Sequence, residues 1–364
     1  MRMARQKNAY IFAPERQKRR GPGCLALVLS IVFAAVVLAL LTNAATNNKL
    51  ELQTEKVRVM SLDKAYEGFA ILHISDLHSS DLAMDADRWK SMLFGKTFNA
   101  VVMTGDMVGK TDDYPMLVSL IKILQDINQS APIYVVAGDE DPAPTIATQH
   151  GNANVLADWV LAVQEAGAVY LDAPVSQQTA KKGVVWFVPE YLYDVDVPGM
   201  QSSLTRQKED MEAQGKQYEG EGGASYRALC YRLDQMDRTL AAIKAMTATD
   251  VQIAVTHVPP DIDYVRNMLQ WNIDNASAFN FRSLSLVLAG HYCGGQWRLG
   301  ALGPIYVPEL GWFCGDTNIV GMQRVNSINL YISGGIAAST FYPMPGRAFN
   351  TPSVTLLSFT AKIE

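Results

Sequence analysis

The sequence predicts an α/β fold that follows a single N-terminal transmembrane helix. Three observations predict it: an apolar segment preceded by basic residues, five short apolar runs that each break into Gly, Asp or His, and amphipathic segments between those runs. A continuous apolar run of this length is typical of a strand buried on both faces, and helices that alternate with such strands cover a sheet. With 364 residues, of which 49% are hydrophobic, the chain can bury a large core.

The N-terminus has the pattern of a membrane anchor. The first 20 residues hold seven basic residues and one acidic residue, and the apolar segment 24–41 follows, interrupted only by Ser30. A helix over this segment would extend about 27 Å, close to the hydrocarbon thickness of a bilayer, and basic residues before a first span stay in the cytoplasm. We expect a basic cytoplasmic tail at 1–23, a transmembrane signal anchor at 24–42, a stalk at 43–54 and an extracytoplasmic domain at 55–364.

Two other interpretations of the N-terminus stay open. Small residues at 42–44 or 43–45 would suit a cleaved signal peptide, although the apolar segment is longer than the usual core of one. Arg19 and Arg20 would suit a twin-arginine export signal. The whole chain carries a net charge of −5, so the residues after the basic tail carry −11, which argues against nucleic acid as a partner.

Polar side chains stand at the ends of the five apolar runs, which are 72–78, 101–106, 134–141, 253–257 and 286–293. Sites in open α/β sheets gather at the carboxyl ends of the strands, so these side chains should meet at one rim. They are Asp76, His78, Asp106, Asp139, Glu140, His257, His291 and Cys293. Because side chains alternate along a strand, Asp76 and His78 should point the same way.

The remaining elements follow from apolar spacing. The expected helices are 85–94, 114–127 and 154–166, and the expected further strands are 55–60, 168–171, 183–188 and 353–359. Residues 190–250 carry none of these runs and form a helical insert. In its second half, apolar residues three and four apart make one stripe, which predicts a helix packed on the sheet. The alternative is a lid hinged at the glycines near 220–223.

The order of these motifs resembles the calcineurin-like metallophosphoesterases, whose motifs run D-x-H, G-D, G-N-H-D/E, a lone His, and G-H-x-H. Segments 294–308 and 329–335 are similar to the membrane-anchored bacterial branch of that family. The resemblance implies a calcineurin-like phosphoesterase fold, with two packed mixed β-sheets flanked by helices, over the metallophosphoesterase domain at 55–364. It also implies two bound metal ions.

The resemblance assigns ligands to both ions. The first would be held by Asp76, His78, Asp106 and Cys293, and the second by Asp106, Asp139, His257 and His291. Three positions depart from the family pattern: Asp139 replaces an asparagine, and Glu140 and Cys293 each replace a histidine. A thiolate suits zinc or iron and not magnesium. We therefore expect two divalent or mixed-valence ions, with zinc, iron or manganese favoured over magnesium.

The same resemblance implies hydrolysis of a phosphodiester or phosphomonoester by a hydroxide held between the metals, with Asp106 as the shared ligand. A protonated Glu140 could take the place of the missing histidine as general acid. Expected substrate contacts are Tyr292, which stands between two ligands, and Arg347 and Asn350, which match a family segment. The expected substrate is a phosphorylated small molecule or a lipid-linked component of the cell envelope.

Two alternatives concern activity. Three carboxylates and a Cys293 thiolate would neutralise two divalent ions and weaken them as Lewis acids, as in a catalytically impaired pseudoenzyme that binds a phosphorylated envelope ligand or a partner protein. A disulfide between Cys293 and Cys314 would remove one ligand altogether. Each altered position nevertheless keeps a residue able to bind metal or transfer a proton, which favours the enzyme.

Overall fold

The computed structural model describes residues 23–109, 114–146, 155–216, 220–269, 284–299, 302–315, 318–342 and 346–362. The chain divides into two compact units, Met1–Ala44 and Ala45–Glu364. The expected basic tail at 1–23 lies outside the described residues, apart from Gly23.

Helix α1 (Cys24–Asn47) begins where the apolar segment begins. Among the described residues it is the one helix long and apolar enough to cross a membrane. It continues beyond Thr42 because Ala44 and Ala45 are strong helix formers. The expected stalk at 43–54 is therefore wrong over most of its length: α1 takes its first residues, the next strand begins at Glu51, and three residues separate the two elements.

The first sheet has six strands and is mixed. In order across the sheet, they are β1 (Glu51–Arg58), β15 (Ser353–Thr360), β2 (Ala70–Ile74), β3 (Ala100–Thr104), β4 (Ile133–Val136) and β5 (Val169–Tyr170). Strands β2 to β5 are parallel to one another, and β15 is antiparallel to β2. Strand β1 begins four residues before the expected position, because its parallel pairing with β15 starts at Glu51 opposite Ser353.

The second sheet also has six strands and is mixed. In order they are β13 (Gly321–Val325), β14 (Ile328–Ile332), β9 (Leu284–Ala289), β8 (Val251–Val255), β7 (Val184–Pro189) and β6 (Val175–Gln178). The two sheets share a core in which Ile71 and Val102 of the first pack with Ile253 of the second. The rings of Tyr134 and Phe187 stack across it at 4.3 Å. The expected pair of packed mixed sheets is confirmed.

Helices cover the outer faces of both sheets. Those on the first sheet are α2 (Ala86–Leu93), α3 (Tyr114–Ile127) and α4 (Asp158–Glu165), and those on the second are α5 (Val197–Ala213) and α6 (Gly220–Ala245). Short helical turns are Asp81–Met84, Glu190–Asp194, Ile262–Tyr264 and Val265–Leu269. Side-chain caps begin two of the helices: Asp85 accepts a hydrogen bond from the N–H of Arg88, and Asp196 from that of Gly199.

The insert at 190–250 supplies α5 and α6. Leu229 and Met236 of the apolar stripe on α6 are buried in the core on the outer face of the second sheet. Between β9 and β13 the chain forms a small antiparallel sheet of β10 (Trp297–Arg298), β11 (Pro304–Val307) and β12 (Gly311–Trp312). This three-stranded sheet lies next to the strand ends that carry the polar motifs, because Glu309 in its turn contacts His291.

Candidate metal centre

The carboxyl ends of β2, β3, β4, β8 and β9 meet at one rim, and the loops that follow bring all seven expected metal ligands together. Four overlapping groups each place their ligand atoms within 4.8 Å of one another. The groups are Asp76, His78 and Cys293; Asp139, His257 and His291; Asp76, Asp106 and His257; and His78, Asp106 and Glu140. Two clusters thus form, with Asp106 between them.

The candidate ligands owe their convergence to loop conformation and not to strand alternation. Strand β2 ends at Ile74, before both Asp76 and His78, so the expectation that alternation along a strand aligns them is wrong. Five of the seven have left-handed backbone conformations, with φ between 42° and 76°: Asp76, His78, Asp106, His291 and Cys293. Residues with side chains rarely adopt this region, and such strain collects at functional sites.

Backbone hydrogen bonds and close approaches hold these conformations. The N–H of Asp76 donates to the carbonyl of Gly105 at 3.1 Å, and the N–H of His78 donates to the carbonyl of Asp106 at 2.9 Å. A Cβ at Gly138 would lie 2.1 Å from Oδ1 of Asp106. The motif glycine is therefore required because the β4 loop touches the carboxylate that lies between the clusters.

His78 supplies the clearest test of whether the first cluster fits a metal ion. Both of its ring nitrogens are buried, and neither has a hydrogen-bond partner among the described residues. Nε2 lies 3.7 Å from Oδ2 of Asp106, and Nδ1 lies 3.7 Å from Oε2 of Glu140. Buried polar atoms normally have partners. An imidazole left unpaired among carboxylates and a thiol is a donor set that fits a cation such as zinc.

In the second cluster, one bond fixes the orientation of His257. Its Nδ1 donates to the carbonyl of Thr104 at 2.6 Å, which leaves Nε2 as the ligand atom. That Nε2 lies 3.0 Å from Oδ2 of Asp106 and 2.8 Å from Oδ1 of Asp139. Nδ1 of His291 lies 3.1 Å from the same Asp139 oxygen. Asp106 therefore lies within reach of ligands from both clusters.

Electrostatics within the second cluster favour cations. Burial raises the pKa of Asp106, and it stays raised beside His257. Burial would also raise the pKa of Asp139, but hydrogen bonds from His257 and His291 hold it well below its usual range. Burial lowers the pKa of each histidine, yet the facing carboxylates raise both overall. Protons thus balance the carboxylates, and metal ions that bind here would displace them.

Cys293 is fully buried beside the first cluster. Its Sγ lies 3.6 Å from Oδ1 of Asp76, and burial raises the pKa of the thiol well above its ordinary value. All four cysteines of the chain, Cys24, Cys230, Cys293 and Cys314, are free. The alternative of a Cys293–Cys314 disulfide is therefore wrong for this structure, and the sulfur remains free to bind metal.

Glu140 is held by hydrogen bonds to both carboxylate oxygens. The Ser339 hydroxyl donates to Oε1, and the N–H and hydroxyl of Thr340 both lie 3.3 Å from Oε2. In this arrangement both oxygens of Glu140 act as hydrogen-bond acceptors for Ser339 and Thr340. Its backbone N–H donates to Oδ1 of Asp106 at 2.9 Å, so the same residue also positions the central carboxylate.

Two of the three expected substrate contacts have a different role. The guanidinium of Arg347 is buried and donates to the carbonyls of Asn350, Ala337 and Gly334 at 2.8–2.9 Å. Nδ2 of Asn350 donates to the carbonyl of Cys293 at 2.9 Å. Contrary to expectation, Arg347 and Asn350 hold the loops of the site in place, because backbone carbonyls occupy their donors. The ring of Tyr292 lies 5.2 Å from that of His291, at the edge of the site.

The sequence missed two acidic residues of the site. Oε2 of Glu309 lies 2.6 Å from Nε2 of His291, but Glu309 stands alone in a turn and carries no motif. Asp141 accepts bonds from the N–H groups of Val108 at 2.7 Å and Gly138 at 2.8 Å, which ties the β3 and β4 loops together. The acidic position that closes the G-N-H-D/E motif could have identified Asp141.

Of three comparisons with known proteins, the one with family models agrees with this geometry. A comparison with curated proteins gives no match. Among solved structures, the crystal structure of phosphopantetheinyl hydrolase from Mycobacterium tuberculosis matches at 11% identity, covering 74% of this chain and 91% of that chain. Its TM-score is 0.35, too low to support an argument about this protein. The family model for calcineurin-like phosphoesterases matches residues 69–294, which include all seven ligand positions. The chain belongs to the calcineurin-like phosphoesterase family.

Proposed function

We propose that this metal-dependent phosphoesterase is anchored in a membrane and hydrolyses a phosphodiester or phosphomonoester with two ions bound on either side of Asp106. The observation that carries the proposal is the pair of clusters around that carboxylate, one of which contains a buried imidazole with unpartnered nitrogens. The family supports the activity, and α1 supports the anchor.

The seven side chains divide between two ions as the family motifs suggest. Asp76, His78 and Cys293 would hold the first, Asp139, His257 and His291 the second, and Asp106 both. Ions bound there would supply positive charge to phosphoryl oxygens and acidify a water molecule. Because Cys293 adds a soft ligand, we propose zinc, iron or manganese.

Hydroxyl groups beside the first cluster suit a phosphoryl group. A cavity of about 440 Å³ is lined by His78, Ser80, Ser339, Thr340 and Tyr342, among others. Burial, with help from nearby carboxylates, raises the pKa of Tyr342 to about 12, so its hydroxyl stays protonated at neutral pH. We propose that this hydroxyl donates a hydrogen bond to a phosphoryl oxygen and that Tyr292 contacts the substrate from the side of the second cluster.

The orientation proposed for the anchor rests on charge. The seven basic residues before α1 favour a cytoplasmic N-terminus, which would place residues 55–364 outside the cell membrane. The substrate would then be a phosphorylated small molecule or a lipid-linked envelope component. The net charge of −11 beyond the tail supports a partner other than nucleic acid.

One observation favours a second candidate function. Both oxygens of Glu140 accept hydrogen bonds, so the residue that replaces the family histidine is not arranged as a proton donor. A pseudoenzyme that binds a phosphorylated ligand without hydrolysing it would need no such donor. The two candidates differ in turnover and not in metal content.

The test measures metal content and hydrolysis of bis-p-nitrophenyl phosphate on the full chain in detergent, under reducing conditions. The natural chain should hold two equivalents of metal and turn over the substrate. Asp106→Ala should lose both the bound metal and turnover. Asp237→Ala, which removes an exposed carboxylate on α6, should retain both. Two metals without turnover would support the pseudoenzyme, and two metals retained in Asp106→Ala would refute the shared ligand.

A further inference from the structure

The small sheet of β10, β11 and β12 carries an unusual number of exposed apolar side chains. Together with one loop residue beside it, they form what we call the apolar ridge, defined as Leu299, Leu302, Trp312, Phe313 and Phe349. Leu302 is 80% exposed and Phe313 is 76% exposed, so neither side chain is packed in a core. Exposed apolar side chains that group together, in contrast to ones scattered singly, are typical of an interaction site.

Pairing shows that the ridge residues are neighbours. The N–H of Leu299 donates to the carbonyl of Gly303, which closes the turn that carries Leu299 and Leu302. The N–H of Phe313 donates to the carbonyl of Ile305, so Phe313 lies at the same end of the sheet as that turn. The ring of Trp312 lies 6.2 Å from that of Phe313. 

Phe349, the fifth residue of the ridge, lies beside the small sheet, because the N–H of Arg298 donates to the carbonyl of the neighbouring Ala348.

Within the second unit, residues near its beginning lie beside the loop that carries Phe349. Nδ2 of Asn47 donates to the carbonyl of Arg347 at 2.6 Å. The point where the chain joins the domain is therefore adjacent to the ridge.

The metal rim lies at the end of the first sheet where β1 begins. Strand β1 begins at Glu51 opposite Ser353, and β15 pairs Thr355 with His73 of β2. Because β15 and β2 are antiparallel, Glu51 stands level with the residue just before Asp76. Asn47 and Glu51 are four residues apart along the chain, so they lie at most about 14 Å from each other. Asn47, near the beginning of the second unit, therefore lies close to the end of this sheet that carries the metal rim.

We propose that the apolar ridge inserts into the interfacial layer of the bilayer, so that the metal rim faces the membrane and takes a phosphoester held at the lipid surface. Aromatic side chains such as Trp312 and Phe313 are favoured at that depth. The inference rests on the proposed membrane anchor and extends it, and it is independent of turnover. Binding of a second copy of the chain, or of another protein, to the ridge would contradict the proposal.

The experiment reads depth directly from the full chain in phosphatidylcholine vesicles. Cys24, Cys230 and Cys314 are changed to Ser, buried Cys293 is kept, and an environment-sensitive fluorophore is attached through Phe313→Cys. The matched control is Lys181→Cys, in the exposed β6–β7 turn at the opposite end of the sheets. Leu302→Cys gives a second position on the ridge should the first variant fold poorly, and metal content checks folding of each.

We expect blue-shifted emission at both ridge positions, quenched by spin-labelled lipid, and water-like emission without quenching at the control. Water-like emission at the ridge would overturn the inference. Blue-shifted emission that lipid-borne quenchers do not reach would also overturn it, because protein would then cover the ridge. An inactive protein with an inserted ridge would refute hydrolysis alone, whereas an active protein with an exposed ridge would refute insertion alone.

Discussion

Glu309 and His291 form a contact that joins the small sheet to the metal centre. Oε2 of Glu309 lies 2.6 Å from Nε2 of His291, while Nδ1 of the same ring faces Asp139 at 3.1 Å. The carboxylate thus accepts a hydrogen bond from the Nε2–H of His291, which directs Nδ1 towards the second cluster. Carboxylates behind metal-binding histidines fix ring orientation and tautomer in this way.

Glu309→Ala should weaken metal binding at the second cluster. Loss of a carboxylate behind a histidine ligand typically reduces metal affinity by about 10- to 100-fold. Competition with a chromogenic chelator measures it. The metal affinity of Glu309→Gln should fall between those of the natural chain and the alanine variant, because its amide oxygen can still accept the hydrogen bond from Nε2–H of His291. Glu209→Ala, on the exposed surface of α5, serves as the control, and equal affinity in all variants would show that Glu309 does not orient His291.

Cys293→Ser should change which metal the protein retains. A thiolate favours zinc over manganese, so the serine variant should lose zinc affinity by a larger factor than manganese affinity. Burial raises the pKa of this thiol, so zinc must displace its proton, and the zinc affinity of the natural chain should rise with pH more steeply than that of the variant. Elemental analysis after dialysis against mixed metals, repeated at two pH values, measures both effects. Unchanged selectivity would exclude Cys293 as a ligand.

Glu140→His should increase phosphodiester hydrolysis if the altered residue limits catalysis. A positioned imidazole can supply the proton that Glu140, which accepts bonds from Ser339 and Thr340, is not arranged to give. A positioned general acid typically contributes about 100-fold or more to the rate, so we expect kcat to rise by as much as about 100-fold. Glu140→Gln is the control, since it removes the charge without providing an acid. No gain from histidine would indicate that substrate does not reach the site.

His73 should make stability depend on pH. It is fully buried behind the site with Nε2 2.8 Å from the hydroxyl of Thr104, and burial lowers its pKa from 6.5 to about 3. The folded protein keeps His73 neutral, whereas the unfolded chain takes up a proton below about pH 6.5. The free energy of unfolding is therefore highest above pH 6.5 and falls as the pH falls towards 3. The slope is about 1.4 kcal/mol per pH unit.

Between pH 6.5 and pH 5 the natural chain should lose about 1.7 kcal/mol of unfolding free energy through this residue, and His73→Gln should not. Urea denaturation of both proteins in detergent gives the difference. A glutamine amide can still bond to Thr104, which keeps the comparison matched. Parallel pH dependence in the two proteins would show that His73 is protonated in the folded state.

The sequence by itself determined the features that depend on local pattern. Apolar runs bounded by turn residues predicted the buried strands, and the polar residues at their ends were the seven candidate ligands that the structure brings together. The apolar segment after the basic tail, interrupted only by Ser30, predicted where α1 begins. These signals involve residues close together in the chain, so no knowledge of the folded structure was needed to interpret them.

Only the tertiary structure decided how distant segments meet. It extended β1 to Glu51 through pairing with the C-terminal strand, and it brought Glu309 from a turn without a motif to His291. It also directed the donors of Arg347 to backbone carbonyls instead of a phosphate. Left-handed loop conformations, not strand alternation, aligned Asp76 and His78. Contacts of this kind depend on which loops pack against one another, and that is fixed by the folded core and not by neighbouring residues in the sequence.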